Sequence, residues 1–288
     1  MKKFVGIVAL IALLATLLLP AAAMAEGDWE NILFLGCDSR AENGFERSDS
    51  MIIVSFNRET NQVKLTSIMR DTWVNFPGRS NPNKINAATV FGGPELAMAT
   101  VNANFGTDIE KYVQINLRHM AQVIDLFGGV DVDVTDGERN LVNANAHGLA
   151  ALIDGYPAFD PLTGTGLVHL NGAQAVSYSR IRKIDSDYNR VMRQQEVLLS
   201  LAYTAQEMEV DELMERADEV LEYIETNLTD DELKELANAA LVVEIEDVEQ
   251  NRIPVDGTFK DGMFGKVWCI KPDFQKNAKL LHEFIYGE

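Results

Sequence analysis

The sequence predicts an α/β fold, an α-β-α sandwich whose central mixed sheet is covered by helices on both faces, and three observations carry that expectation. Short apolar runs bounded by polar turns come first, strand-like and helix-like runs alternate through the middle, and amphipathic stretches with three- and four-residue apolar spacing follow.

The chain opens with Lys2 and Lys3, an uninterrupted apolar stretch from Phe4 to Leu19, Pro20, and the tripeptide Ala23-Met24-Ala25. That order predicts a secretory signal cut after Ala25. An uncleaved membrane anchor is the alternative, since residues 4–25 carry no charge and about 20 residues span a bilayer. Either way the remainder is expected to work outside the cytoplasm, secreted or tethered to the outer face of the membrane. We read residues 26–288 as a single domain, with a motif core over about 31–200 and a helical and strand part over 201–288, because no linker or repeat divides them.

Asn31–Gly36 reads as a buried strand ending at Cys37-Asp38-Ser39-Arg40. Ser50–Phe56 and Val63–Met69 read as two further strands joined by the polar turn Asn57–Asn61. After Gly92-Gly93, Pro94 suits the first turn of a helix that Gly106 stops. Tyr112–Asn116, Leu117–Phe127 and Val130–Val134 then form a β-α-β alternation. From Tyr188 to Asn227, Val191, Leu198, Ala202, Leu213, Ala217, Leu221 and Ile224 mark amphipathic helices with an acidic outer face. Thr229 and Glu232 have the spacing of a capping box that opens another helix.

A formal charge of −19 repels nucleic acid, and no basic stripe or helix-turn-helix offsets it. Cys37 and Cys269 could pair in an exported chain, or one could sit as a small buried hydrophobe. His119, His147, His169 and His282 are scattered with no partner motif and read as surface or core residues. There is no Gly-x-Ser-x-Gly elbow, no phosphate loop ending in Gly-Lys-Ser/Thr, and no His-Glu-x-x-His zinc motif. Metal-plus-arginine phosphoryl chemistry fits best with what remains.

Two clusters could perform it. Asp38 and Asp49 flank a polar loop beside Arg40 and Arg47, where a hard divalent cation fits, as does plain pairing of carboxylate with arginine. The segment Arg180–Arg193 holds five cations against two carboxylates, and Arg190 and Arg193, three apart, are expected to share one helix face suited to gripping phosphate oxygens. A basic helix end bridged to acidic neighbours is the plainer reading of that segment.

These residues resemble the LytR-CpsA-Psr family, whose domain also carries the label cell envelope-related transcriptional attenuator. The resemblance covers most of the chain beyond residue 25 and rests on NILFLGCDSR (31–40), RSDSMIIVS (47–55), SIMRDTWV (67–74), KINAA (84–88), FGGPEL (91–96), IDLFGGVDV (124–132) and Leu170–Leu198. It implies an enzyme that moves a glycopolymer, such as a teichoic acid or capsular polysaccharide, from a polyprenyl pyrophosphate to peptidoglycan, forming a phosphodiester. It further implies magnesium, or manganese in its place, on Asp38 and Asp49, and pyrophosphate on Arg47, Arg70, Arg180, Arg182, Arg190 and Arg193. Arg70, Asp71 and Arg190 are the expected catalytic groups, with Asp71 the candidate base. Met69 stands where proline is usual before the Arg-Asp pair, and Asn189 where glycine is usual before the arginine. An apolar channel for the lipid is expected between sheet and helices, near the helix around Phe91–Phe105. The alternatives are a polyprenyl-pyrophosphate phosphatase and a non-enzymatic lipid-carrier binding or regulatory protein.

Overall fold

The computed structural model of the protein describes residues 29–39, 46–182, 184, 187–229, 231–233, 243 and 245–287. The leader expected over residues 1–25 and the loop residue Arg40 lie outside them. Among the described residues no helix is long and apolar enough to cross a membrane. In chain order the elements are β1 (Trp29–Cys37), β2 (Ser48–Asn57), β3 (Val63–Ile68), β4 (Trp73–Val74), β5 (Asn83–Lys84), α1 (Ala88–Phe105), β6 (Lys111–Asn116), α2 (Leu117–Leu126), β7 (Val130–Val134), α3 (Asp136–Ala150), β8 (Gly166–Leu170), α4 (Gly172–Ser179), α5 (Asp187–Gln206), α6 (Val210–Val220), β9 (Ile224–Thr226), β10 (Glu249–Ile253), β11 (Phe259–Phe264), β12 (Val267–Pro272) and α7 (Phe274–Tyr286).

The central sheet runs β10-β3-β2-β1-β6-β9. It is mixed, because β1 pairs antiparallel with β2 but parallel with β6. Successive side chains of a strand point to opposite faces, and both faces are buried here. Ile32 and Phe34 of β1 with Ile52 and Val54 of β2 enter one core, packed with residues of α2, α3, α4, α5 and α6. Leu33 and Leu35 with Met51 and Ile53 enter a second core, packed with α1 and α7. Each such fully buried side chain contributes about 1.5–3 kcal/mol. The result is the expected α-β-α sandwich.

Local chemistry sets the joints. Asn57 turns the β2–β3 hairpin by accepting from the amides of Glu59 and Thr60 at 3.0 and 2.9 Å. In α1 the backbone leaves the helical conformation at Gly92 and Gly93, and Gly93 has φ +69°, a value a residue with Cβ adopts only with strain. The continuous part of that helix starts at Pro94, as expected, and Gly106 ends it in a left-handed conformation. The Thr229 and Glu232 capping box is formed through three hydrogen bonds of 2.6 to 3.3 Å.

Two expectations need correction. Val130–Val134 is a strand but does not join the central sheet; it pairs with β8 in a separate two-stranded ribbon. Its Val-Asp-Val-Asp-Val alternation buries one face and exposes the other, whereas a central strand needs two apolar faces. Ile224, assigned to a helix, lies in β9 opposite Ile115 and completes the free edge of β6. Of the two alternatives open for Cys37 and Cys269, the structure takes the second, since both are buried free thiols.

Candidate functional site

The C-terminal end of β1 carries the site because a bulge re-aims the chain there. Gly36 opposes Ser50 but Cys37 opposes Ser48, so Asp49 is the extra residue on β2. Gly36 is needed for the approach, since a Cβ at that position would lie 2.9 Å from the Ser50 Cβ. The Asp38 amide then donates to the Arg47 carbonyl at 2.9 Å, which closes the strand ends and places Asp38 and Asp49 on neighbouring strands.

A network of charges grows from this point. Asp49 accepts from Arg70 Nη1 and, through its other oxygen, from Asn86 Nδ2 at 3.1 Å. Arg47 donates to Asn86 Oδ1 at 3.3 Å. Arg70 Nε lies 3.7 Å from Asp71 and 4.0 Å from Asp187, and Lys84 Nζ sits 2.6 Å from Asp71 Oδ1. Asp187, at the first turn of α5, holds Arg190 at 3.1 Å. Across the loop, Arg180 Nη2 donates to Asp38 Oδ1 at 2.8 Å, a pair that is one third exposed and contributes about 0–1 kcal/mol. Helix α5 is fixed over the sheet by Gln195, whose amide donates to Ser67 Oγ at 3.1 Å and to the Asn251 carbonyl at 3.3 Å.

Six cations (Arg47, Arg70, Lys84, Arg180, Arg182 and Arg190) thus meet four carboxylates (Asp38, Asp49, Asp71 and Asp187), a positive surplus in a chain of charge −19. Three buried polar atoms in this network, Arg70 Nε, Asp187 Oδ1 and Arg190 Nε, have no hydrogen-bond partner. Buried groups of this kind cost free energy unless a ligand or water completes them, so they point to a polar ligand. Burial pushes the Asp187 carboxyl above its ordinary range and the Arg190 guanidinium below its own, with their mutual attraction opposing both shifts.

Beneath the cations lies a cavity of about 430 Å³ between the sheet and α2, α3, α4 and α5. Its walls are largely apolar, among them Phe34, Ile115, Met120, Ile124, Leu149, Val176, Val197 and Leu198, and its polar end carries Asp49, Arg180, Arg182, Arg190 and Gln194. An apolar chamber with a few convergent polar groups is the usual form of a small-molecule site. The cavity lies on the opposite face of the sheet from α1, which packs in the second core, so it is not beside the helix around Phe91–Phe105 where an apolar channel is expected. Cys37 also lines it, but burial and then the Asp49 charge push its thiol up to about 12, which excludes it as a nucleophile at neutral pH.

Of the residues expected from sequence, Asp38, Asp49, Arg47, Arg70, Asp71, Arg180 and Arg190 converge in one network, and Arg182 is exposed at the cavity mouth. Arg193 does not share the position of Arg190. It is buried, donates to Glu138 of α3 at 2.6 Å and to the Ile181 carbonyl at 3.1 Å, and stacks over Tyr178, so it ties α5 to α3 and α4. A spacing of three places two residues within about 5–6 Å but allows long side chains to diverge. Asp71 is engaged by Lys84 and Arg70, which suits an anchor for those cations better than a base. Lys84, Asn86 and Asp187 join the site beyond the residues expected from sequence, although all three lie inside the sequence blocks quoted above.

The histidines serve structure. His119 bonds the Tyr223 carbonyl, His169 bonds Asp131 and the Gly128 carbonyl, His282 bonds the Gly106 carbonyl, and His147 stacks edge-on against Phe159.

The LytR_cpsA_psr family matches over residues 20–281. A relative from Bacillus mycoides strain KBAB4, named polyisoprenyl-teichoic acid–peptidoglycan teichoic acid transferase TagU, is 31% identical over 82% of this chain and 72% of its own length. A relative of the same name from Enterococcus faecalis strain V583 is 33% identical over 72% of this chain and 64% of its own. The matches to several Bacillus relatives of that name cover only half of their length. The solved structure of TagT bound to LIIa-WTA superimposes with a TM-score of 0.70 at 25% identity, covering 93% of this chain and 95% of its own. That of Bacillus subtilis TagV gives 0.68 at 28% identity, covering 91% and 98%. On the extent of these matches, the chain belongs to the LytR_cpsA_psr family.

Proposed function

We propose that this chain is an extracytoplasmic phosphotransferase that moves a glycopolymer from a polyprenyl-pyrophosphate carrier to peptidoglycan, forming a phosphodiester. The observation that carries the reading is the cluster of arginines, with buried nitrogens that make no hydrogen bond, over an apolar cavity. Pyrophosphate suits the cluster and an isoprenoid tail suits the cavity. The names of relatives agree, being teichoic acid transferases, as does the TagT structure bound to LIIa-WTA.

In this reading an acceptor hydroxyl oxygen attacks the phosphorus that carries the glycopolymer. The bond from that phosphorus to the bridging oxygen breaks, and polyprenyl phosphate leaves. Arg70, Arg180, Arg182 and Arg190 stabilise charge on the nonbridging and leaving oxygens, and positioning supplies most of the rate. Asp187, with a buried oxygen that accepts no hydrogen bond and a carboxyl pushed up by burial, replaces Asp71 as the proposed proton acceptor. Asp71 holds Arg70 and Lys84 in place.

Asp38 and Asp49 suit magnesium, or manganese, as hard oxygen donors at neighbouring strand ends; magnesium takes one or two carboxylates and completes its six ligands with water and phosphate. Both carboxylates are now paired to arginines, so they would share or exchange Arg180 and Arg70 as ion and substrate enter. The ion, when bound, would neutralise phosphate charge. Export by the segment over residues 1–25 would bring the site to its lipid-borne substrate.

The test is to supply the full chain with a short polyprenyl-pyrophosphate-linked glycopolymer and peptidoglycan. Polymer attached to peptidoglycan through a phosphodiester supports the reading. Phosphate release without attachment would make the protein a phosphatase, and tight binding without any turnover would make it a carrier-binding protein.

A further inference from the structure

The hairpin formed by β11 and β12 is built differently from the rest of the surface. Met263, Phe264, Val267 and Trp268 at its tip are 64%, 36%, 38% and 38% exposed, four large apolar side chains flanking one turn. Met263 pairs with Trp268 and Phe264 with Val267, and adjacent pairs point to opposite faces of a ribbon. The tip is therefore apolar and exposed on both faces. A ribbon covered by another sheet or by a protein partner would need only one apolar face; one that enters a fluid apolar medium needs both.

The charges around the tip point the same way. Lys260, Lys266 and Lys271 are exposed on the hairpin, against the single carboxylate Asp261, in a chain whose formal charge is −19. Lys271 Nζ lies over the Phe264 ring, 3.9 Å from its centre. Lysines beside aromatic rings match the boundary between anionic lipid headgroups and acyl chains.

The base of the hairpin is tied to the site. The Ile270 amide donates to the Asp71 carbonyl at 3.0 Å, and Lys84, paired to Asp71, lies 6.0 Å from the Trp268 ring centre. Through Arg252, which lies between Tyr188 at 4.8 Å and Phe259 at 6.0 Å, the hairpin also reaches the start of α5, where Tyr188 and Met192 are further exposed apolar side chains.

From this arrangement we propose that the β11–β12 tip docks in an anionic lipid surface beside the mouth of the cavity. The inference deepens the lipid-carrier reading and rests on it for its purpose: a docked mouth lets an isoprenoid tail pass from bilayer to cavity without crossing water. The membrane contact is then a property of the folded domain, separate from the apolar leader.

The experiment places the full chain on phosphatidylglycerol–phosphatidylcholine vesicles with brominated acyl chains and reads tryptophan quenching. The leader is present in every variant, so the comparison reports the hairpin. Quenching is expected in the unaltered chain and most of it should vanish in Trp268→Phe, which assigns it to the tip. The double variant Phe264→Asp, Val267→Asp should keep its melting temperature and its turnover on detergent-solubilised substrate, yet lose about tenfold in turnover on vesicle-borne substrate as apolar insertion is lost. Quenching that is absent, or that persists unchanged in Trp268→Phe, overturns the proposal even if the double variant does not fold. A Trp268 emission shift with soluble peptidoglycan fragments and none with vesicles overturns it in favour of a sugar-binding tip. Trp268 quenching in a chain that transfers no polymer would refute the enzymatic reading while sustaining the docking surface.

Discussion

Replacing Arg193 with Ala should damage folding before it damages chemistry. Arg193 and Glu138 are 6% and 7% exposed and form one ion pair at 2.6 Å, and Arg193 also satisfies the Ile181 carbonyl. Truncation strands a buried carboxylate that retains only its Thr135 hydrogen bonds. Breaking a buried pair in this way costs about 3–5 kcal/mol. A domain of this size loses about 2–4 °C per kcal/mol, so the melting temperature should fall by roughly 6–20 °C. Calorimetry of the purified variant reads this directly. Turnover measured well below the transition should stay within a few-fold of the parent. Adding Glu138→Gln to Arg193→Met should recover part of the loss, because the neutral amide needs no cation and can still accept from the Thr135 amide. An unchanged melting temperature together with a roughly 100-fold loss of turnover, the size expected for a group that stabilises transition-state charge, would instead place Arg193 in the pyrophosphate site.

Arg190→Ala should do the reverse, cutting turnover by roughly 100-fold with a smaller loss of stability, because Asp187 can take up a proton where Glu138 holds its charge; Arg190→Lys should rescue only in part, since lysine lacks the planar fork, and full rescue would mean that charge alone suffices. Ala144→Trp, at an exposed position on the cavity wall, should raise KM for long-chain lipid substrates and leave soluble short-chain analogues nearly unaffected; equal effects on both would place the tail elsewhere. Glu138 has burial raising its carboxyl, but hydrogen bonds from Thr135 and Arg193 outweigh this and hold it below the ordinary range. Its folded pKa lies below the unfolded one, so its contribution is full above about pH 4.3 and lost as pH falls through the folded value. The stability gap between the parent and Glu138→Gln should therefore shrink in acid, and a constant gap from pH 7 to 3 would contradict the assignment.

The sheet and much of the site were legible because strands buried on both faces leave unbroken apolar runs, as in Asn31–Gly36, and because charged side chains inside such a frame are few. Periodicity was weaker evidence at edges. Ile224 continued a helical spacing yet pairs with Ile115, since the free edge of β6 decides its state and no local pattern encodes that edge. The side of the sheet that holds the cavity was likewise not readable, because Met98 and Val101 in one core and Met120 and Val197 in the other look alike as residue types. The burial of Arg193 depended on Glu138, 55 positions away, although Thr135 and Glu138 displayed the spacing of the capping box that opens α3. In the sequence Asp187 is one of two carboxylates among five cations, and nothing marks it further, since its missing hydrogen bond is a property of the folded network.

In the proposed complex a lipid pyrophosphate sits with its head among Arg70, Arg180, Arg182 and Arg190 and its tail in the cavity below. A polyprenyl pyrophosphate with a photoreactive diazirine in the isoprenoid tail tests it directly, by mass spectrometry of the crosslinked peptides. Label is expected on α2, α3 and α5, at residues such as Met120, Leu149 and Val197, and should be lost in Arg190→Ala. Label confined to α1 and α7, on the other face of the sheet, would contradict it.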